Sequence, residues 1–481
     1  MKNLKNHITI FLLAFLFMSC EKSLTDLKPI DQIPSEVAIS TMNDVVSALN
    51  GVYGTWSARR SSYLSSTISD EIRLGVGTEY RNVGNNLFNW QHVSDSQDWR
   101  DGESGGGWTN LYAVIDRANR LLELMVPVPT ANATEAALKN QIKGEMLALR
   151  AMAHLELLRW YSITTEYTPG SLGIVVQSSY VKNTGFHKPA RQPQSAAITL
   201  INADLIEAKT LIPSTFINIG RVTRNAVAAV QARVALHVKD WQGVVDRTTE
   251  VINAQPLSNR TLYPLLWTSR VLNADQSTEV IWKLNVTSAN LGAGVGSLWQ
   301  DIGAGAVQAS PAVKLLSLFT PATDVRFNVF FRTTPRNLIA KYGVVESANG
   351  ENFQYDIKMI RTSEMVLARA EANAELNQLT PANNDLSLLR TARILGYTHT
   401  AISNKATLIS AVLEERYKEL CFEGQRYFDL KRRSLPINRD INDAGGISAI
   451  QTLLPTDSKY ILPIPQQETF ANPNIGQNPG Y

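Results

Sequence analysis

The chain has 481 residues, 44% of them hydrophobic, with 46 Lys and Arg against 43 Asp and Glu and a formal charge of +3. Lys2 and Lys5 at the N-terminus supply two of those charges, so the balance gives no electrostatic footing for nucleic acid. Of the 2 cysteines, one lies in the N-terminal leader region and Cys421 stands alone beyond it, so no internal disulfide is expected and stability must come from packing.

Lys2 and Lys5 precede the apolar run Ile8 to Met18, which meets Ser19 and Cys20. That order is a charged n-region, an h-region and a small residue before a cysteine, the pattern of a signal peptide over residues 1–19. Eleven residues rising about 1.5 Å each cannot cross a hydrocarbon core of about 30 Å. Lipoprotein processing attaches diacylglycerol to a cysteine at this position because a thiol can carry the thioether. Cys20 is therefore the expected anchor, although Phe17 stands where bacterial lipoboxes usually have Leu. Acyl chains hold a protein at a bilayer without a spanning helix. Residues 20–35, with Pro29 and Pro34 among polar neighbours, read as a tether.

Residues 36–481 are expected to form one mainly α domain. A first helix is predicted from Glu36 to Leu49. Apolar residues then recur at helical spacing from Trp108 to Met125 (Leu111, Val114, Ile115, Ala118, Leu121), and Pro127 and Pro129 stop the pattern. Another helix is predicted from Thr134 to Tyr161. A small-residue rhythm recurs at Arg150–His154, Arg233–His237 and Arg369–Asn373. Each lies in a predicted helix pair: Trp108–Met125 precedes the first, Trp241–Asn253 follows the second and Asn383–Ile394 follows the third. These resemble degenerate, interrupted tetratricopeptide repeats. The intervening stretches 51–107 and 256–358 are rich in Gly, Ser, Asn and aromatics and read as long loops and short strands, where a ligand site is sought.

Several tempting motifs fail on context. Gly102 to Gly106 matches G-x-S-x-G around Ser104, but the polar Ser94–Asp98 upstream is no nucleophile-bearing strand. Glu415, Glu419 and Glu423 share a helical face, and pairing with Arg416 and Arg426 explains them better than glycoside hydrolysis does. No zinc, Walker or Rossmann spacing occurs, and no catalytic residue, cofactor or metal is expected. Gly292, Gly294 and Gly296 read as a loop tip. The aromatics say more. Arg81, Trp90 and Trp99 crowd one loop stretch with Asn85, Asn86 and Asn89, and Trp299 and Tyr342 mark the other. An indole face stacks on the C–H face of a pyranose while amides and guanidinium bind its hydroxyls, which makes Arg81, Trp90, Trp99, Trp299 and Tyr342 the candidate sugar contacts. Core packing competes for any of these tryptophans; Trp282, in the strand-like run from Val280 to Leu284, is assigned to the core.

The segment from Glu414 to Arg432, the run Leu462–Gln466, then Asn472–Asn474 and Gln477–Tyr481 resemble the SusD/RagB family. Trp108–Tyr112 through Arg117–Asn119, Leu149–Ala151 with Arg159–Tyr161, and Gly220–Arg224 running to Asp240–Trp241 agree with it. The resemblance covers nearly the whole chain beyond the leader; Cys421 departs from the family's usual apolar or small residue. It implies a SusD-like fold and a lipoprotein on the outer membrane, facing the cell exterior. Such a protein captures oligosaccharides and sits as a lid on a SusC-like TonB-dependent transporter, with no chemistry of its own. The family-motif residues Asn119, Glu419, Glu423, Gly424, Arg426 and Asp429 are read as structural. The alternative is a RagB-like peptide-binding lid, or a scaffold that binds the transporter without binding glycan.

Overall fold

The computed structural model describes residues 38–56, 59–74, 85–95, 107–182, 187–267, 279–286, 294–301, 306–334, 336–343, 355–444 and 451–481. Helices dominate: α1 (Met42–Thr55), α2 (Arg59–Ile68), α3 (Asn85–Phe88), α4 (Gly107–Leu124), α5 (Ala133–Tyr161), α6 (Gln194–Leu211), α7 (Arg224–Val238) and α8 (Trp241–Ala254) come first. After them come α9 (Val313–Ser317), α10 (Val325–Phe330), α11 (Thr362–Glu375), α12 (Leu379–Arg393), α13 (Lys405–Leu420), α14 (Arg426–Lys431) and α15 (Gln466–Ala471). Among the described residues no helix is long and apolar enough to cross a membrane.

The first helix begins later and ends later than its sequence pattern predicts. Thr41 caps it: its hydroxyl accepts the amide of Asp44, whose carboxylate accepts the amide of Thr41 at 2.8 Å, a reciprocal capping box. In α2, within a stretch predicted to be loop, the helical period is hidden because Ser62, Ser65, Ser66 and Thr67 are buried. Two of these hydroxyls meet polar partners: Ser66 donates to Glu71 at 2.5 Å, and Ser65 accepts the amide of Tyr427 at 3.2 Å. A burial face that bonds to polar groups leaves no apolar stripe to read.

Helix α4 packs on α5, α7 on α8 and α11 on α12, while α5 also packs on α6 and α11 on α8 and α13. Small residues permit the approach. A Cβ added to Gly144 on α5 would lie 2.8 Å from Ile212 Cγ1 and 3.1 Å from Leu211 Cβ. The arginine opening each small-residue run clamps a neighbouring helix through a two-pronged ion pair. Arg150 grips Asp204 of α6 at 2.8 and 2.6 Å. Arg233 grips Glu364 of α11 at 2.7 Å through both nitrogens, and Arg369 grips Asp385 of α12 at 3.0 and 2.7 Å. Alanine brings the helices close, and the planar guanidinium fixes their register.

Short antiparallel strands fill the gaps. They are β1 (Ile72–Leu74), β2 (Val280–Leu284), β3 (Gln300–Asp301), β4 (Ala306–Val307), β5 (Ala309–Pro311), β6 (Phe331–Arg332), β7 (Leu338–Ile339), β8 (Ile357–Arg361), β9 (Ile437–Asn438) and β10 (Thr452–Leu453). They pair as β1–β5, β2–β8, β3–β4, β6–β7 and β9–β10. Trp282, on β2, is buried edge-on against Trp56 with ring centroids 6.0 Å apart.

Candidate functional site

The strand pairs gather the ends of the loop-rich stretches. Leu74, after which 75–84 begins, pairs with Ala309 on β5. β5 follows the β3–β4 hairpin, and the carbonyl of Trp299 accepts the amides of Gln308 and Ala309 at 2.8 and 3.3 Å. The side-chain amide of Gln300 then donates to the carbonyls of Ile339 and Gly343, at 3.1 and 3.4 Å, just before 344–354 begins. On the other pair, Leu284 faces Ile357, and Asp356 accepts the amide of Val286 at 2.9 Å and the ammonium of Lys283 at 2.7 Å. The chain therefore departs into 287–293 and returns from 344–354 side by side. A further stretch, 96–106, starts near Ser94, whose carbonyl accepts the amide of Gln466 at the start of α15 (3.0 Å), and ends where α4 begins.

The predicted sugar contacts divide between this framework and what it carries. Arg81 and Trp99 lie outside the described residues, as do Ser104 and Cys20, the expected anchor. Trp90, Trp299 and Tyr342 are core residues, exposed by 4%, 0% and 1%, which corrects the expectation that they present open stacking faces. Trp90 donates its indole N–H to the carbonyl of Ile68 at 2.9 Å and lies under the Arg439 guanidinium at 4.2 Å. Trp299 stacks on Tyr63 at 6.3 Å, and Tyr342 meets Trp267 edge-on at 5.4 Å. Apolar area of this size gains more from burial than from waiting for ligand, and the sequence pattern gave no sign of which indoles would be covered.

The family-motif residues build a buried ionic framework. Glu419 accepts from Arg361 at 2.9 Å and from Arg326 and Arg393 at 3.1 Å. Glu279 binds Arg361 at 2.7 Å and Arg393 at 2.9 Å, and Glu423 binds Arg361 and Lys341 at 2.6 Å. Burial alone would raise the Glu419 carboxyl, but Arg393, Arg361 and Arg326 outweigh it and hold the group well below the usual carboxylate range. Burial likewise opposes, and Arg326, Lys418 and Arg390 then overcome, in bringing Glu415 down to about 2. Carboxyls held ionised in this way, Glu415 and Glu419, are not suited to act as general acids.

The arginines three residues from these glutamates pair elsewhere, which corrects the predicted pairing. Arg416 binds Asp429 at 2.9 Å, and Arg426 binds Asp70 at 2.7 Å. Glu415 and Glu419 point from one face of α13 toward β8, α10 and α12, whereas Arg416 is turned about 100° from Glu415 and meets α14. Glu423 lies beyond the helix end. Gly424 has φ +80°, and a Cβ there would come within 3.2 Å of the backbone of Ser61 and Ser62, so both conformation and space call for glycine. Asn119 is buried, donates to the carbonyls of Gln177 and Ser179 at 3.2 Å and accepts from Arg150 at 2.6 Å.

A cleft of about 460 Å³ opens between α4, the segments 175–181 and 187–189, and α15. Sequence reasoning set Trp108 among the aromatics of the first loop-rich stretch and Trp108–Tyr112 in a family segment but missed the cleft, because nothing local marks Gln177 or Glu468 as their neighbours. Among the described residues no cluster of His, Cys, Asp or Glu could hold a metal ion.

Comparison with known proteins agrees with this architecture. Residues 328–481 match the SusD family, and residues 26–236 match a family described as starch-binding and associating with the outer membrane. SusD-like protein P2 of Formosa agariphila is 24% identical, covering 99% of this chain and 100% of that protein. A SusD superfamily protein from Bacteroides thetaiotaomicron superposes with a TM-score of 0.77 at 23% identity, covering 91% of this chain and 100% of that one. A laminarin-binding SusD-like protein superposes with a TM-score of 0.69 at 20% identity, over 92% of this chain and 100% of that one.

Proposed function

Because the chain belongs to the SusD/RagB family, we propose that it is a cell-surface lipoprotein that captures oligosaccharides and delivers them to a SusC-like TonB-dependent transporter. The observation that carries this reading is the gathering of loop ends on paired strands. The stretches 75–84, 287–293, 302–305 and 344–354 all spring from β1–β5, β3–β4 and β2–β8, held by buried contacts that need no ligand. A rigid base from which several segments depart suits recognition of a flexible polymer, since the base bears no ordering cost when ligand binds.

Arg81, in the stretch 75–84, and Trp99, in the separate stretch 96–106, are the proposed ligand contacts, and Cys20 the proposed lipid anchor. The name of the laminarin-binding neighbour and the starch-binding description of the matched family support carbohydrate over peptide as the ligand. Binding here involves no bond making: stacking and hydrogen bonds hold the glycan, and cleavage belongs to other proteins. The helical face built by α4 to α8 is the proposed contact with the transporter.

The test is a glycan array with the chain beginning after Cys20, alongside Trp99→Ala and Arg81→Ala. A confined set of bound glycans, lost in folded variants, is the expected result. Absence of binding to every glycan would turn the assignment toward peptide ligands.

A further inference from the structure

We infer that the cleft between α4, the segments 175–181 and 187–189, and α15 is a second carbohydrate site, one that takes a short oligosaccharide without help from the loops. Its volume of about 460 Å³ falls within the ~300–1,000 Å³ of ordinary small-molecule sites. One wall is aromatic and fixed. The Tyr112 hydroxyl donates to the carbonyl of Val175 at 2.9 Å and accepts the amide of the same residue at 3.1 Å, so the ring cannot swing. Trp108 packs behind it, 4.8 Å between centroids and 53° between planes, and is itself braced edge-on by Tyr161 at 5.0 Å.

The rest of the lining mixes apolar side chains, such as Val181 and Ile475, with polar ones. Gln177 and Ser179 join the fold through their backbone carbonyls, both bonded to Asn119, and their side chains line the cleft without a hydrogen bond to the described protein. Asp116 adds a carboxylate from α4, where it pairs with the half-exposed Arg120 at 3.3 Å, and Glu468 adds another from α15. Lys188 lies at the rim beside His187, so the polar lining mixes acidic, basic and neutral groups and does not present one sign of charge. A lipid chain would strip water from the carboxylates and amide and return no hydrogen bonds. A sugar ring offers an apolar C–H face to the aromatic wall and hydroxyls to Asp116, Gln177, Ser179 and Glu468, and so satisfies both sides at once.

The inference rests on the carbohydrate class proposed above but not on the loop residues, and calorimetric titration of the full chain separates the two. The probes are trisaccharides of glucose, mannose, galactose and xylose, and the proteins are the unmodified chain, Trp99→Ala, and Gln177→Ala combined with Asp116→Ala. Both cleft substitutions fall outside the core, and an unchanged thermal midpoint confirms folding. The expected result is binding that persists in part in Trp99→Ala and weakens roughly fivefold or more in the cleft variant, as loss of two hydrogen-bonding groups should produce. Crystals soaked in the bound trisaccharide should show it against Tyr112. Titration of the cleft variant indistinguishable from the unmodified chain overturns the cleft site and leaves the loop reading standing. Sensitivity to the cleft variant alone does the reverse, and failure of the unmodified chain to bind any probe overturns both.

Discussion

Apart from β1, the buried ionic framework and the loop-bearing strand platform come from the same half of the chain, yet they are built on opposite principles. In the first, Glu279, Glu415 and Glu419 are buried and Glu423 partly so, and each is matched by arginine or lysine from other elements. In the second, β1, β3, β4, β6 and β7 run only two or three residues, and Trp299, Tyr342 and Phe330 are held by ring contacts with Tyr63 and Trp267. Charge networks specify one arrangement because every misplaced partner leaves an unpaired ion. Short strands specify little beyond their own ladder, so the segments between them can differ in sequence without unfolding the base. Fold maintenance and ligand choice thus fall on different residues.

The largest break in that contrast should come from Glu419→Ala, which leaves Arg326, Arg361 and Arg393 around an empty position. A loss of about 3–5 kcal/mol in urea unfolding is expected, and Glu423→Ala should likewise lower stability without selectively weakening sugar binding. Normal stability with binding lost in either variant would overturn the structural assignment.

Acid sharpens the same point. Glu415 and Asp429 are held at about 2 in the fold, against ordinary values of 4.5 and 3.8. The unfolded chain therefore takes up protons first as pH falls. Their contribution is complete above about 4.5 and is lost as pH drops toward 2, so the thermal midpoint should decline through that window. A midpoint flat from pH 5 to 2 would contradict the network's role.

Gly144→Ala should cost about 1–3 kcal/mol by forcing α5 from α6, read by thermal unfolding with glycan affinity unchanged. The smallest effect on stability, within about 0.5 kcal/mol, is expected for Trp99→Ala, paired with a loss of glycan affinity on the order of tenfold. Trp299→Ala should do the opposite, destabilising the chain as loss of a buried indole does.

Helices whose inner face is apolar were legible in the sequence: α4 and α5 begin and end within a residue or so of their predicted limits because proline and the Asn132 cap mark their boundaries. α2 was not, since its buried hydroxyls serve Glu71 and Tyr427 rather than an apolar core. The small-residue runs announced close helix packing. They did not announce that Arg150, Arg233 and Arg369 clamp Asp204, Glu364 and Asp385, acids 16 to 131 residues away.

By itself the sequence determined the helical pairs, the motif that identifies the family and the loop-rich character of the stretches between them, because these depend on residue type at short spacing. Only the tertiary structure decided which charged groups meet, which tryptophans are covered, and that Trp108, Tyr112, Gln177 and Glu468 face one cleft. Ion pairing, burial and cavity walls arise from segments far apart in the chain, and no local period encodes the distance that folding closes.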